Sequence, residues 1–451
     1  MPRPLKIANA SGFWGDQPDA AARLLAAQPD VDYLTLDYLA EVSLSIMAIA
    51  QAKDPAAGYA RDFIEVVRSL IPFWKQGGRT RIVTNAGGLD PQACGRAVRD
   101  ELAKAGLADR KVAVVSGDDV LAWVQAHVGE CANLETGAAL EPLAAKLVTA
   151  NAYVGADAIA AALQAGADIV ITGRVADPSL TVGPARAHFG WDADAHDRIA
   201  AATIAGHLLE CGTQACGGFS TDWLSLPGNH DIGFPVAEIA ADGSCVMTKP
   251  TGTGGAVTLQ SIKEQLLYEI GDPGNYLSPD ATVSLLGVKL AQVGPDRVQL
   301  TGATGRPPPD SYKVSATYRH GFKAHGMLTV YGDQAVAKAR RAGGGVIRRL
   351  TEAGCRYRET LVECLGTGAS VGGVGQRVPE GDLIETVLRI SVAADTEEPV
   401  RRFTRAIAPL VTSGPQGVTG YASGRPKVLP VFGYWPCLVP RTVVNRQWAI
   451  L

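Results

Sequence analysis

Amides, hydroxyls, carboxylates and one guanidinium stand just beyond short apolar runs of this chain, at Asn9, Ser11, Asp16, Asp37, Asn85, Asn151, Thr172, Arg174 and Asp177. A guanidinium can hold a carboxylate in two hydrogen bonds, an amide can polarise a carbonyl, and a carboxylate can move a proton. The set fits bond making or breaking beside an acyl group. In that scheme Arg174 anchors the acid or thioester end, Asp177 or Asp37 is the general base, and Asn85 and Asn151 polarise the carbonyl. Each carboxylate also has a purely structural alternative. Asp177-Pro178 has the form of an N-cap and first-turn proline, and Asp37 with Glu41 can favour the positive end of the next helix.

Two further stretches carry reactive groups. Cys211 and Cys216 flank Gly-Thr-Gln-Ala, which suits a nucleophilic thiol forming a thioester, an anion nest, or two inert thiols in a glycine turn. His207, Cys211 and Cys216 match no zinc spacing and lack a fourth ligand, so no metal is expected. Lys249 and Thr251 precede a helix in TKPTGTGG, residues 248–255. A Gly-Thr entry to a helix start suits a carboxylate or phosphate, and a solvated loop is the alternative.

The elements that must position these groups follow from periodicity. Residues 151–180 run through an apolar helix, a Gly166 turn, the unbroken apolar strand 169–172 and a polar loop. A run without polar alternation is the mark of a parallel strand covered on both faces. The same strand-loop-helix pattern begins at residues 4, 32, 79, 111 and 147. The fold class expected is therefore α/β, with a predominantly parallel, Rossmann-like layered sheet and helices on both faces over residues 1–228. A closed barrel is the competing arrangement. Ligands in open α/β sheets bind beyond the carboxyl ends of the strands, where these polar loops gather. After Pro227-Gly228 the texture changes to hairpins and alternating strands, which predicts an α+β domain with an antiparallel sheet over residues 229–451.

Composition narrows the function classes. With 42 basic and 45 acidic residues, net charge −3, the chain has no electrostatic footprint for nucleic acid or an anionic membrane. The eight cysteines form no CxxC pair, so reduced thiols are expected. The N-terminus has no signal-peptide pattern and no run approaches the ~20 apolar residues of a span, so a cytoplasmic protein is expected. No GxGxxG follows the first strand and no P-loop occurs, so no nucleotide cofactor is predicted.

With those residues in view, the chain resembles the acyclic terpene utilisation (AtuA) family. The resemblance rests on NASGFWGD (9–16), DYLTLDYLAE (32–41), TNAGGLDP (84–91), ANAYVGADAI (150–159), ITGRVADPSL (171–180) and GTGG (252–255), and spans nearly the whole chain. It implies a catabolic setting of branched acyl-CoA breakdown, and no defined catalytic residue set. The expected activity is a cofactor-independent hydratase or lyase on a branched-chain carboxylate or acyl-CoA, with CoA entering only as part of the substrate. The alternative is a non-catalytic binding or scaffold subunit. Longer relatives continue into a ferredoxin-like domain that is not fused here, which predicts a small separately encoded partner. A homo-oligomer is expected.

Overall fold

The computed structural model of the chain describes residues 3–372, 374, 378–421 and 424–451. It forms two compact units, Met1–Thr317 with Tyr434–Leu451, and Tyr318–Gly433. The expected division at residue 228 falls inside the first unit, because the hairpin that follows it joins the first sheet.

In chain order the first unit contains β1 (Leu5–Asn9), α1 (Ala20–Ala27), β2 (Tyr33–Leu36), α2 (Ser43–Lys53), α3 (Phe63–Lys75), β3 (Arg81–Thr84), α4 (Pro91–Lys104), β4 (Val112–Ser116), α5 (Leu121–Ala126), β5 (Leu147–Ala152), α6 (Asp157–Gln164), β6 (Ile169–Thr172), α7 (Ser179–Phe189), α8 (His196–Glu210), β7 (Val236–Ile239), β8 (Cys245–Thr248) and α9 (Leu259–Leu267). Five strands run parallel in the order β1-β2-β3-β6-β4. Antiparallel strands extend them on both sides: β7, β8, Arg297–Thr301 and Lys289–Gly294 beyond β1, and Gln447–Ile450 beyond β4. The result is a ten-stranded mixed sheet with an open order, rather than a predominantly parallel one. The turn at Asp242-Gly243 does join β7 to β8, with Gly243 at φ +91, but as part of this sheet.

The central strands are apolar on both faces because both are buried. Ala8, Leu34, Leu36, Ile82, Ile169 and Ile171 cluster with Leu24, Leu25, Phe63, Leu70 and Val98 of α1, α3 and α4. The alternate positions Ile7, Thr35, Val83 and Val170 are buried too, and α7 packs against β1, β2 and β3. β5, expected in this sheet, instead pairs with the long strand Ser311–Tyr331. Its last residues still deliver Asn151 to the same polar region.

The second unit is α+β. Glu385–Ala394 pairs antiparallel with Phe322–Tyr331 of the long strand and with Glu359–Leu365, and buries every second residue. Those residues, Leu388, Ile390, Val392 and Ala394, meet Val336, Val346 and Phe403 of the helices Ala335–Glu352 and Glu397–Ala406. No helix among the described residues is long and apolar enough to cross a membrane.

Candidate active site

The carboxyl ends of β1, β2, β3, β4 and β6 all terminate in the polar loops, and their side chains bind one another. Asn85 Nδ2 donates to Asp37 Oδ1 at 2.7 Å, the Leu39 N–H donates to the same carboxylate at 3.2 Å, and Asn85 Oδ1 accepts from Tyr38 N at 2.7 Å. Asn151 Nδ2 donates to Asp118 Oδ2 at 2.8 Å, and the Arg174 backbone N–H donates to the same oxygen at 2.9 Å. Gly173 is required there, since a Cβ would collide with the Asp118 carboxylate. Both amides therefore fix buried acids. Asn9 is similarly engaged, its Oδ1 accepting from Ser11 N at 3.0 Å.

Arg174 is the largest fully buried side chain among the described residues, 2% exposed. Its guanidinium donates to the Leu39 carbonyl and to Asp177 Oδ1, and lies 4.2 Å over the Tyr153 ring. Its Nε is buried without a partner, and Arg174 is absent from the linings of both cavities described next. Nor is Asp177 a helix cap. The N-cap position of α7 is Pro178 and no side chain bonds the helix start. Asp37 and Glu41 likewise leave the start of α2 without a side-chain cap.

Asp177 faces open space. A cavity of about 500 Å³ is lined by Phe13, Asp16, Asp37, Cys211, Phe219 and Tyr268, among others. A second, of about 460 Å³, is lined by Tyr153, His207, Tyr276, Leu277, Lys313 and Leu438, among others. Glu41, Asp177, Glu210 and Glu269 line both, so the two cavities meet at a waist of four carboxyl groups. Burial and neighbouring like charges both disfavour the ionised form of a carboxyl. The Asp177 carboxyl is pushed up to about 8 by burial and by Asp37, Glu41 and Glu269, against the pull of Arg174. Burial raises Glu210 to about 7, although His207 Nδ1 lies 2.9 Å from Glu210 Oε1. Asp37 and Asp118 are raised by burial to about 6. His207 is raised as well; burial opposes its charge, and Glu210 more than offsets that.

Residues 5–450 match the family described as acyclic terpene utilisation family protein AtuA. The chain belongs to the AtuA family. No curated protein and no solved structure matches it. Membership in AtuA connects the chain with acyclic terpene utilisation and leaves the chemistry to be argued from the site.

Of the residues expected from the AtuA sequence, Asp16, Asp37, Asp177 and Cys211 line the cavities at the waist. Asp16 is held by loop geometry, accepting from Gly12 N at 3.0 Å and Gln17 N at 2.7 Å. Asn9, Ser11, Asn85, Asn151, Thr172 and Arg174 stand behind the walls; Ser11 Oγ donates to the Phe13 carbonyl at 3.2 Å and Thr172 Oγ1 to Gly173 O at 2.9 Å. Cys216 is fully buried and lines neither cavity. Burial and the adjacent Glu210 push the Cys211 thiol up to about 12, and burial pushes Cys216 higher still. Thiolates form readily where cations lower their proton affinity; the charged neighbours of Cys211 are acids, and Lys249 near Cys216 does not offset its burial. Lys249 donates to the Thr253 carbonyl at 2.7 Å and lies 3.4 Å from Asp296 Oδ2; neither it nor Thr251 lines either cavity. Among the described residues no group of three His, Cys, Asp or Glu side chains is placed to hold a metal ion. A larger open groove, of about 950 Å³, lies at the opposite ends of β2 and β3 around residues 30–33 and 77–81, away from the waist carboxyls.

Glu210, Glu269 and Asp118 were not singled out as catalytic or binding residues from sequence, and His207 was weighed only as a metal ligand. His207 and Glu210 stand three apart on α8, a spacing that puts both on one helix face and could have shown the pair. Asp118 follows β4 as Asp37 follows β2, and the same rule that selected Asp37 applies to it. Glu269 carried no sequence signal beyond its charge.

Proposed function

We propose that this chain is an acid–base lyase of the hydro-lyase type, acting on a branched acyclic substrate such as a carboxylate or acyl-CoA, and needing no cofactor beyond CoA carried by a thioester substrate. The observation that carries the reading is Asp177: a carboxyl raised to about 8, facing a cavity shared with Glu210 and Glu269, and hydrogen-bonded to a buried guanidinium. Near neutral pH such a group is a proton donor matched to its task.

In the dehydrating direction Asp177 gives its proton to a leaving hydroxyl as the C–O bond breaks. A waist carboxylate, Glu269 or Glu210, takes the proton from the adjacent carbon, and the electrons of that C–H bond form the alkene; the products are alkene and water. Arg174 stabilises the Asp177 carboxylate left behind, which its hydrogen bond favours over the acid. Hydration runs the same steps in reverse. The apolar wall of the second cavity, with Leu134, Ile270, Leu277 and Leu438, suits a hydrocarbon chain.

The test is water exchange into branched unsaturated acyl-CoAs and their free acids, followed by mass spectrometry in heavy-oxygen water. Loss of turnover by roughly a hundredfold or more in Asp177→Asn, with folding intact, is the expected outcome. Turnover at the wild-type level in that variant would remove Asp177 as the acid.

A further inference from the structure

We propose that Cys131 and Cys437 are an oxidative modification site, closing to a reversible disulfide by exchange with a small-molecule disulfide of the glutathione class. The inference stands apart from the acid–base reading and uses two thiols that the reaction leaves idle.

The two residues are 306 positions apart in sequence, so no local spacing pairs them, and both belong to the first unit. The fold ties their surroundings together. Trp435 Nε1 donates to the Cys131 carbonyl at 2.9 Å, and Leu134 N donates to the Pro436 carbonyl at 2.9 Å. With residues 131 and 134 held against 435 and 436, the Cys437 thiol meets the Cys131 sulfur and hydrogen-bonds to it. Both side chains are fully buried. Two other buried thiols face different groups: Cys245 lies 3.8 Å from Met247 Sδ, and Cys364 lies 3.7 Å from the Val336 carbonyl.

The thiolate is the attacking species in disulfide exchange. The bond from Cys437 holds the Cys131 thiol below its ordinary value against the effect of burial, whereas burial pushes up Cys94, Cys216 and Cys245. Access is through the adjoining loop. Residues 134–139 are exposed, Cys131 stands at their base, and exposed loops open locally at far less cost than the whole fold.

In the open form the Cys131 thiolate attacks one sulfur of glutathione disulfide. That S–S bond breaks, and the other sulfur leaves with the electron pair. The Cys437 thiolate then attacks the Cys131 sulfur and releases the second glutathione. The chain gives up two protons and two electrons, and one glutathione disulfide becomes two glutathione thiols. The new bond joins distant parts of the chain, and a disulfide that closes a long loop stabilises by restricting the unfolded state.

The experiment incubates the reduced full chain at pH 7.5 with excess glutathione disulfide, quenches with acid, alkylates the unfolded protein and maps its peptides by mass spectrometry without reductant. A cross-linked pair of peptides carrying Cys131 and Cys437 is expected, with a melting temperature raised by about 3 °C or more, and dithiothreitol should reverse both. Cys437→Ala is expected to stop at a glutathione adduct on Cys131. Cys131 and Cys437 both recovered in alkylated form, a cross-link from either to a different cysteine, or a cross-link that lowers the melting temperature would overturn the proposal. The map of the unsubstituted chain decides the matter even where Cys437→Ala fails to fold.

Discussion

Arg174 donates from its buried guanidinium to Asp177, three residues along the chain, and the carboxylate so held stands at the junction of two cavities instead of capping the helix that follows it. The pair joins the sheet to the site. Arg174 is fixed from behind by Asp118, Leu39 and Tyr153, and its partner Asp177 lines the ligand space.

Removing the guanidinium should therefore unfold more than it inactivates. Arg174→Ala leaves Asp177 and the Leu39 carbonyl without their donor and empties a large buried volume. The pair is buried at the arginine and part-exposed at Asp177, so urea unfolding should move by about 1–3 kcal/mol, the cost of leaving hydrogen-bond partners unsatisfied, while a change below about 0.5 kcal/mol would mean that the pair is as weak as a surface one.

Stability should fall as pH rises. Asp37 and Asp118 are raised to about 6, Glu210 to about 7 and Asp177 to about 8. A carboxyl raised in the folded state favours folding below its unfolded value, and that contribution is lost as pH climbs through the folded value. His207, also raised, has the same sign. The melting temperature should decline from about pH 5 to about pH 8.5, and decline less in Asp177→Asn. A flat profile would contradict the raised carboxyls.

At Glu269 stability and activity should part company. Glu269 has a φ of +61, which glycine accepts without strain, so Glu269→Gly should stabilise the fold, by about 1 kcal/mol, and reduce turnover. A melting temperature that falls, or turnover that is kept, would mean that the glutamate serves the turn alone.

The cysteines should prove dispensable for reaction. With the Cys211 thiol pushed up to about 12, iodoacetamide labelling at pH 7.5 should be slow, and a Cys211→Ala, Cys216→Ala variant should keep turnover. Rapid labelling blocked by substrate would restore thiol chemistry.

Much of this was legible in the sequence, for reasons that also explain the remainder. Strands such as Ile169–Thr172 are marked by unbroken apolar runs, and their ends locate Asp37, Asp177 and the amides beside them. The partners of those amides were not legible, because Asn85 meets Asp37 across neighbouring strands and Asn151 meets Asp118 from a strand outside that sheet, contacts that exist only in the folded chain. The sheet's extent was misjudged at residue 228 because an antiparallel hairpin has the same local pattern whether it starts a new domain or extends an old sheet at β1. Thr251 and Lys249 carried an anion-binding composition, yet Lys249 is taken up by Thr253 and Asp296. Glu269 came last, since a strained turn is a property of φ and leaves no trace in residue type.

The central claim is that Asp177 works as an acid near neutral pH. Its titration can be followed directly by carbon NMR on protein labelled at the aspartate carboxyls, the resonance being identified by its absence in Asp177→Asn. A midpoint near 8 is expected. A midpoint near the ordinary aspartate value of about 4 would leave Asp177 a plain ion-pair partner of Arg174 and contradict the account.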